Sequence, residues 1–162
     1  MTSDSRPLAV FDLDNTLSDA RHRLHFLERT PRDWDAFFDA APQDPPLPPG
    51  VALCLEAARQ CEIRYLTGRP ERCRQDSLDW LAAHGLPRGR LHMRRDDDRR
   101  PARLTKLEVL RRLGRNREVR MLVDDDELVC EDAARAGFHV VRADWALGSR
   151  ALRRAQEKEG RT

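Results

Sequence analysis

The chain alternates short apolar runs with longer amphipathic stretches. Leu8-Ala9-Val10-Phe11 is continuous and apolar, as in a strand buried on both faces. Residues 17–40 predict two helices, one carrying Leu17, Leu24 and Leu27, the next opened by Pro31 and carrying Trp34, Phe37 and Phe38. The segment 41–50 holds five prolines and predicts an extended loop. A helix over 51–60 leads to a second strand, Ile63-Arg64-Tyr65-Leu66, which ends in Thr67-Gly68-Arg69. From Pro70 to about His84 a helix places Leu78 and Leu81 on its apolar face and stops at Gly85. A third strand falls at Leu91-His92-Met93, followed by a helix over 102–113 with Leu104, Leu107, Val109 and Leu110. Met121-Leu122-Val123 predicts a fourth strand, 127–136 a helix, and Phe138-His139-Val140-Val141 a fifth strand. Residues 147–159 read as a polar helix or tail. Strands alternating with helices give a parallel α/β sheet covered on both faces, without an internal repeat or domain boundary.

Composition narrows the class. At 162 residues the chain fits one domain that needs no metal or disulfide staple to bury a core. No apolar run approaches the roughly 20 residues of a membrane-spanning helix, and the polar opening residues 1–7 lack the apolar core of a secretory signal. Cys54, Cys61, Cys73 and Cys130 form no C-x-x-C pair, which points to reduced thiols in a cytoplasmic setting and against a zinc site. The net charge of +2 is unevenly spread: residues 1–60 carry 6 basic and 10 acidic side chains, whereas residues 88–120 carry 13 and 5. Nearly all of that basic charge is arginine, which suits bidentate contact with phosphate.

In open α/β sheets ligands bind outside the carboxyl ends of the strands. Three of the five predicted strands end there in reactive side chains: Asp12 and Asp14, Thr67 to Arg69, and Asp124 with Asp125. Asp12 and Asp14 are one residue apart, so both can face one pocket while Leu13 turns into the core. Four carboxylates in one crevice repel one another unless a cation lies among them, and hard oxygen donors suit Mg²⁺. One of Asp124, Asp125 and Asp126 is expected to cap the following helix instead. Thr67 can donate to an anion, Gly68 lets backbone N–H groups approach a phosphate, and Lys106 offers a compact point charge. A metal, a nucleophile and anion donors together describe phosphoryl transfer. Trp80, Trp145 and Cys130 read as packing residues, and the five histidines pair with no nucleophile.

These residues resemble the four motifs of the haloacid dehalogenase (HAD) superfamily of phosphohydrolases. Phe11-Asp12-Leu13-Asp14-Asn15-Thr16-Leu17 is similar to the first motif, Leu66-Thr67-Gly68-Arg69 to the second, Lys106 to the third and Leu122-Val123-Asp124-Asp125 to the fourth. The resemblance implies a single HAD-like Rossmannoid domain over 1–162, with a five-stranded parallel sheet in the order 5-4-1-2-3 and a minimal cap or none. It further implies that Asp12 is the nucleophile, Asp14 the acid and base, and Thr67 and Lys106 the holders of the transferring oxygens. Mg²⁺ would then contact Asp12, the backbone carbonyl of Asp14 and Asp124, with Asp125 orienting its shell. An aspartate at position 14 favours phosphatase over dehalogenase chemistry.

The short gaps between motifs leave no room for a large cap, which suits a large substrate such as a nucleic-acid end. Met93-Arg94, Asp98, Arg100 and Lys106, together with the Trp34 helix and Asp44-Pro45-Pro46, resemble the 3′-phosphatase domain of bacteriophage polynucleotide kinase. That likeness implies a polynucleotide 3′-phosphatase acting on DNA or RNA ends, with Gly68, Arg69 and Arg94 on the substrate and a separate kinase or ligase as partner. No G-x-x-x-x-G-K-[ST] occurs in the sequence, so no 5′-kinase activity is expected of it, and Asp126 stands where relatives commonly carry arginine. The competing expectations are a nucleotidase or general small-phosphomonoester phosphatase with the same residues, and a module that binds phosphorylated ends without turnover.

Overall fold

The computed structural model describes residues 6–146 and 150–162. The polar opening residues 1–5 and residues 147–149, the expected start of the C-terminal helix, lie outside the described residues. Five parallel strands form one sheet in the order β3-β2-β1-β4-β5: β1 is Leu8–Phe11, β2 Glu62–Pro70, β3 Gly89–Arg94, β4 Val119–Asp124 and β5 Val140–Arg142. This is the expected 5-4-1-2-3 order read from the other edge.

Alternation along β1 divides the core. Ala9 and Phe11 face a cluster containing Cys54, Ala57, Trp80 and Leu81 from α2 (Pro48–Ala57) and α3 (Arg74–Ala83). Val10 faces the opposite cluster, with Ala102 and Leu110 of α4 (Ala102–Gly114) and Val129 and Ala133 of α5 (Glu127–Arg135). The connections thus change faces between β1 and β4, and the strand order reverses there. Asp12 follows β1 and Asp124 ends β4, so both stand at the reversal point where such sheets hold their ligands.

Several elements differ from the sequence reading. Leu17 lies in the turn after β1, and the first predicted helix is a single 3₁₀ segment, Arg21–Phe26. The second is α1, Trp34–Asp39, capped by the Asp33 side chain. These pieces build a satellite cluster of Leu24, Leu27, Phe37, Phe38 and Cys73, rather than a cap domain. Within the proline-rich stretch only residues 44–47 are extended, held by Asp19 N donating to Pro45 O and Leu47 N to Leu17 O. Pro48 and Pro49 instead open α2, where the first-turn N–H groups have no helical acceptor and a proline loses nothing. Leu78 and Leu104 are surface residues; α4 buries Ala102, Lys106 and Leu110, one per turn, and Lys106 therefore points under the sheet's carboxyl edge. The C-terminal segment is α6 (Arg150–Arg154) followed by a π-turn over Ala155–Glu159, and Leu152 is buried in the satellite cluster.

Candidate active site

The turn after β1 sets the site. Asp12 N donates to Val123 O at 2.9 Å, which ties the strand end to β4. Leu13 is buried in the core, and Asn15 takes a left-handed conformation (φ 59°) that asparagine tolerates better than other side chains. This reversal places Asp12 and Asp14 in two different surroundings.

Asp12 joins Asp124 and Asp125: one carboxylate oxygen from each lies within 4.8 Å of the other two. Lys106 Nζ sits between the first pair, donating to Asp12 Oδ1 at 2.9 Å and Asp124 Oδ2 at 2.7 Å. Thr16 Oγ1 donates to Asp12 Oδ2 at 3.3 Å. Burial and the neighbouring Asp12 charge push the Asp124 carboxyl up to about 7, against the pull of Lys106. Asp125 is pushed well above the usual carboxylate range by burial, then by Asp12 and Asp124. Burial works against the Lys106 charge, but Asp12 and Asp124 outweigh it and raise its pKa. Asp125 Oδ1 is buried without a hydrogen-bond partner among the described residues. An orphaned carboxyl oxygen beside two further acidic groups is a donor set that fits a hard divalent cation.

Asp14 turns the other way, so three acids rather than four converge. Its Oδ1 accepts from Arg23 Nη2 and from Arg69 Nη2, both at 2.6 Å, and lies 3.3 Å from Ser18 Oγ. Asp44 completes a buried cage: Arg23 donates to it through Nε (2.8 Å) and Nη2 (2.7 Å), His22 Nε2 lies 2.6 Å away, and Arg69 Nη2 reaches it at 3.4 Å. Burial alone would raise the Asp14 pKa; Arg69 and Arg23 overcome it and hold the carboxyl far below its usual range. Trp80 Nε1 donates to Asp44 O at 2.8 Å, and Trp145 Nε1 to Thr16 O at 2.9 Å, so both tryptophans pack the site from behind. Cys130 is buried, with its Sγ 3.3 Å from Asp124 O.

The remaining expected residues fall as follows. Asp126 is the helix cap, accepting from Leu128 N at 2.9 Å and Val129 N at 3.3 Å, and Asp124 Oδ1 accepts from Asp126 N. Thr67 is buried at the end of β2, its Oγ1 accepting from Arg69 N at 3.2 Å. Gly68 lies against the backbone of Thr162, which a Cβ would strike. Arg69 and Arg94 were expected on the substrate, and the structure engages both internally. Arg69 holds Asp14, and its Nη1 donates to Ser77 Oγ at 2.9 Å. Arg94 is buried, donating to the carbonyls of Gly68 (3.2 Å), Asp98 (3.3 Å), Arg100 (2.7 Å) and Thr162 (3.5 Å). It organises the β3–α4 loop around β2, with four of its five N–H groups on carbonyls. Sequence reasoning missed Arg23 as a member of the site; its one signal is an arginine at an interior position of a short apolar segment.

The sheet order, the strand-end carboxylates and the lysine define a phosphatase of the haloacid dehalogenase class. Within that class, a model of the family described as the polynucleotide kinase PNKP phosphatase domain matches residues 7–145, and the chain belongs to that family. No curated protein matches the chain. Among solved structures it resembles a chain of a Pnkp1/Rnl/Hen1 complex, at 25% identity and a TM-score of 0.70, over 86% of this chain and 47% of that one. A chain of a Pnkp1/Rnl/Hen1 RNA repair complex matches at 24% and 0.70, over 88% and 44%. The present chain thus spans less than half of either relative. A haloacid dehalogenase-like hydrolase from Streptococcus pneumoniae shares the fold at 15% identity and a TM-score of 0.62, over 96% and 93%.

Proposed function

We propose that this chain removes 3′-phosphates from polynucleotide ends, through an aspartyl-phosphate on Asp12 and with Mg²⁺ as cofactor. The observation that carries the chemistry is the Asp12–Asp124–Asp125 group around Lys106, at the point where the strand order reverses. Membership of a polynucleotide kinase phosphatase family supports a nucleic-acid end as substrate. The occurrence of a 25%-identical chain in a Pnkp1/Rnl/Hen1 complex supports a separate partner for this chain.

In the proposed mechanism an Asp12 oxygen attacks phosphorus and the bond to the 3′-oxygen breaks, leaving phosphate on Asp12. Lys106 holds Asp12 in place and shields its charge as the phosphate dianion approaches; Thr67, at the end of the neighbouring strand, is the candidate donor to a transferring oxygen. Asp14, held as a carboxylate by Arg23 and Arg69, takes up a proton from solvent water as substrate phosphate enters, gives it to the departing 3′-oxygen, and then takes one from the water that cleaves the aspartyl-phosphate. Its Oδ1 is committed to Arg23, Arg69 and Ser18, whereas Oδ2 has a long contact, 3.4 Å from Arg69 Nε. Oδ2 is therefore the oxygen that exchanges the proton. The arginines favour the carboxylate, the form from which water activation starts, and weaken it as a base. Asp12, Asp124 and Asp125, with the Asp14 carbonyl, would hold Mg²⁺, which when bound supplies positive charge between two anions.

Phosphate release from a 3′-phosphorylated oligonucleotide, from its 5′-phosphorylated counterpart and from 3′- and 5′-mononucleotides tests the proposal. The expected result is Mg²⁺-dependent release favouring the 3′-phosphorylated oligonucleotide. Faster turnover of mononucleotides would replace it with a nucleotidase, and chelator-resistant turnover would remove the metal.

A further inference from the structure

Half of the twelve arginines of residues 88–120 pair with acids among the described residues. Arg100 pairs with Asp98 and Glu108, Arg103 with Asp132 and Glu157, and Arg117 with Glu62. Positive charge also gathers beside the second motif, where Arg29, Arg32 and Arg72 are paired with acids and two further arginines are not. A cleft of about 270 Å³ is lined by Phe38, Pro70, Arg72, Arg99 and Arg161, among others, and starts one residue beyond Arg69. A second, of about 410 Å³, includes Arg29, Arg32, Trp34 and Arg161. Asp35 and Arg161 line both, so the two form one trough across α1. Five arginines and three aspartates line it (Arg29, Arg32, Arg72, Arg99 and Arg161 against Asp33, Asp35 and Asp96).

Two of these arginines have no carboxylate partner among the described residues. Arg99 Nη1 donates only to the carbonyls of Asp96 and Asp98. The Arg161 guanidinium stands 5.8 Å from the centre of the Trp34 ring. Trp34 is half-buried and braced from beneath, stacked on Phe38 and edge-on to Phe37, with ring centres 5.9 Å apart in each case. Arg161 is fixed by a segment beyond the family match: Leu152 is buried, Glu157 pairs with Arg103, Glu159 with Arg32, and Gly160 (φ 58°) lies against the Arg99 backbone.

We propose that this trough binds a single polynucleotide strand leading to the site, with Arg99 on its phosphates and with Arg161 moving off the Trp34 ring onto a phosphate as a base stacks there. The inference rests on the polynucleotide reading above. A cationic groove with an aromatic face at hand is the combination that holds unpaired strands. A duplex keeps its bases stacked on one another and offers Trp34 no partner. Arginines without an acidic partner are free to pair with phosphate at no cost to a native ion pair.

The test is binding of a labelled 3′-hydroxyl single strand, and of the same sequence as a duplex, by fluorescence anisotropy over a range of salt. Wild type is expected to prefer the single strand. The double variant Arg99→Ala/Arg161→Ala is expected to weaken it about tenfold or more and to flatten the log–log salt slope by about 1.4, two phosphates at roughly 0.7 each. Trp34→Leu is expected to weaken binding about fivefold with the slope unchanged; melting curves show whether each variant is folded, and the double variant, at an exposed and a half-buried arginine, decides the matter alone. Unchanged affinity in the double variant, or a wild-type preference for the duplex, overturns the trough. Phosphate release from the 3′-phosphorylated strand is measured alongside. Release with variant-insensitive binding removes the trough and keeps the phosphatase reading, whereas trough-dependent binding without release does the opposite.

Discussion

Two halves of one site handle buried charge in opposite ways. On one side Asp14 and Asp44 face Arg23 and Arg69, two anions against two cations, with nearly every donor matched. On the other, Asp12, Asp124 and Asp125 share a single Lys106. The consequence is visible in the carboxyl groups: Asp14 is held far below its usual range, whereas Asp124 is pushed up to about 7 and Asp125 well up. Burial is similar on both sides, so it is the local count of charges that decides the sign. The chain completes the arginine half by itself and leaves the other half short of positive charge.

Substitutions in the two halves should therefore fail differently. Asp12→Asn removes the proposed nucleophile, and turnover should fall by at least about four orders of magnitude with the melting temperature little changed; phosphate-release assays with chemical deamidation excluded check this. Arg23→Ala strands Asp14 and Asp44 in a buried setting and should cost roughly 3–5 kcal/mol of stability by chemical denaturation. Added Mg²⁺ should not repair that loss, because the damaged half is not the one short of a divalent cation. If Mg²⁺ did repair it, the two halves would be one electrostatic unit. Lys106→Met should lower turnover about 10²–10³-fold, yet Mg²⁺ should raise the melting temperature of this variant more than that of wild type. Arg94→Ala should have the smallest effect, about 1–3 kcal/mol of stability from unpaired carbonyls. Its activity loss should be the same on an oligonucleotide and on p-nitrophenyl phosphate, and a loss confined to the oligonucleotide would return Arg94 to the substrate.

The lysine half was legible in the sequence because each carboxylate directly follows an apolar strand, and strand ends of a parallel sheet converge. Lys106 followed from the same motif order. The arginine half was not legible. Arg23 and Asp44 are 21 residues apart and meet through a 3₁₀ turn and a short extended loop, neither of which has a periodicity to read. Arg69 and Arg94 were visible as charges, but a sequence does not tell whether a guanidinium faces a substrate or a neighbouring carbonyl. Pro48 and Pro49 misled for a related reason, since a proline breaks a helix interior yet fits its first turn. Leu104 and Leu78 show the limit of counting apolar positions: the buried stripe of α4 passes through Lys106, which a search for apolar periodicity skips.

The central claim is that one half is finished and the other awaits a cation. Calorimetric titration of the metal-free protein with Mg²⁺ tests it, using wild type, Asp124→Asn and Asp44→Asn, each checked for folding by circular dichroism. The expected result is one Mg²⁺ bound per wild-type chain, lost in Asp124→Asn and kept in Asp44→Asn. Mg²⁺ binding that survives Asp124→Asn, or that disappears with Asp44→Asn in a folded protein, would contradict it.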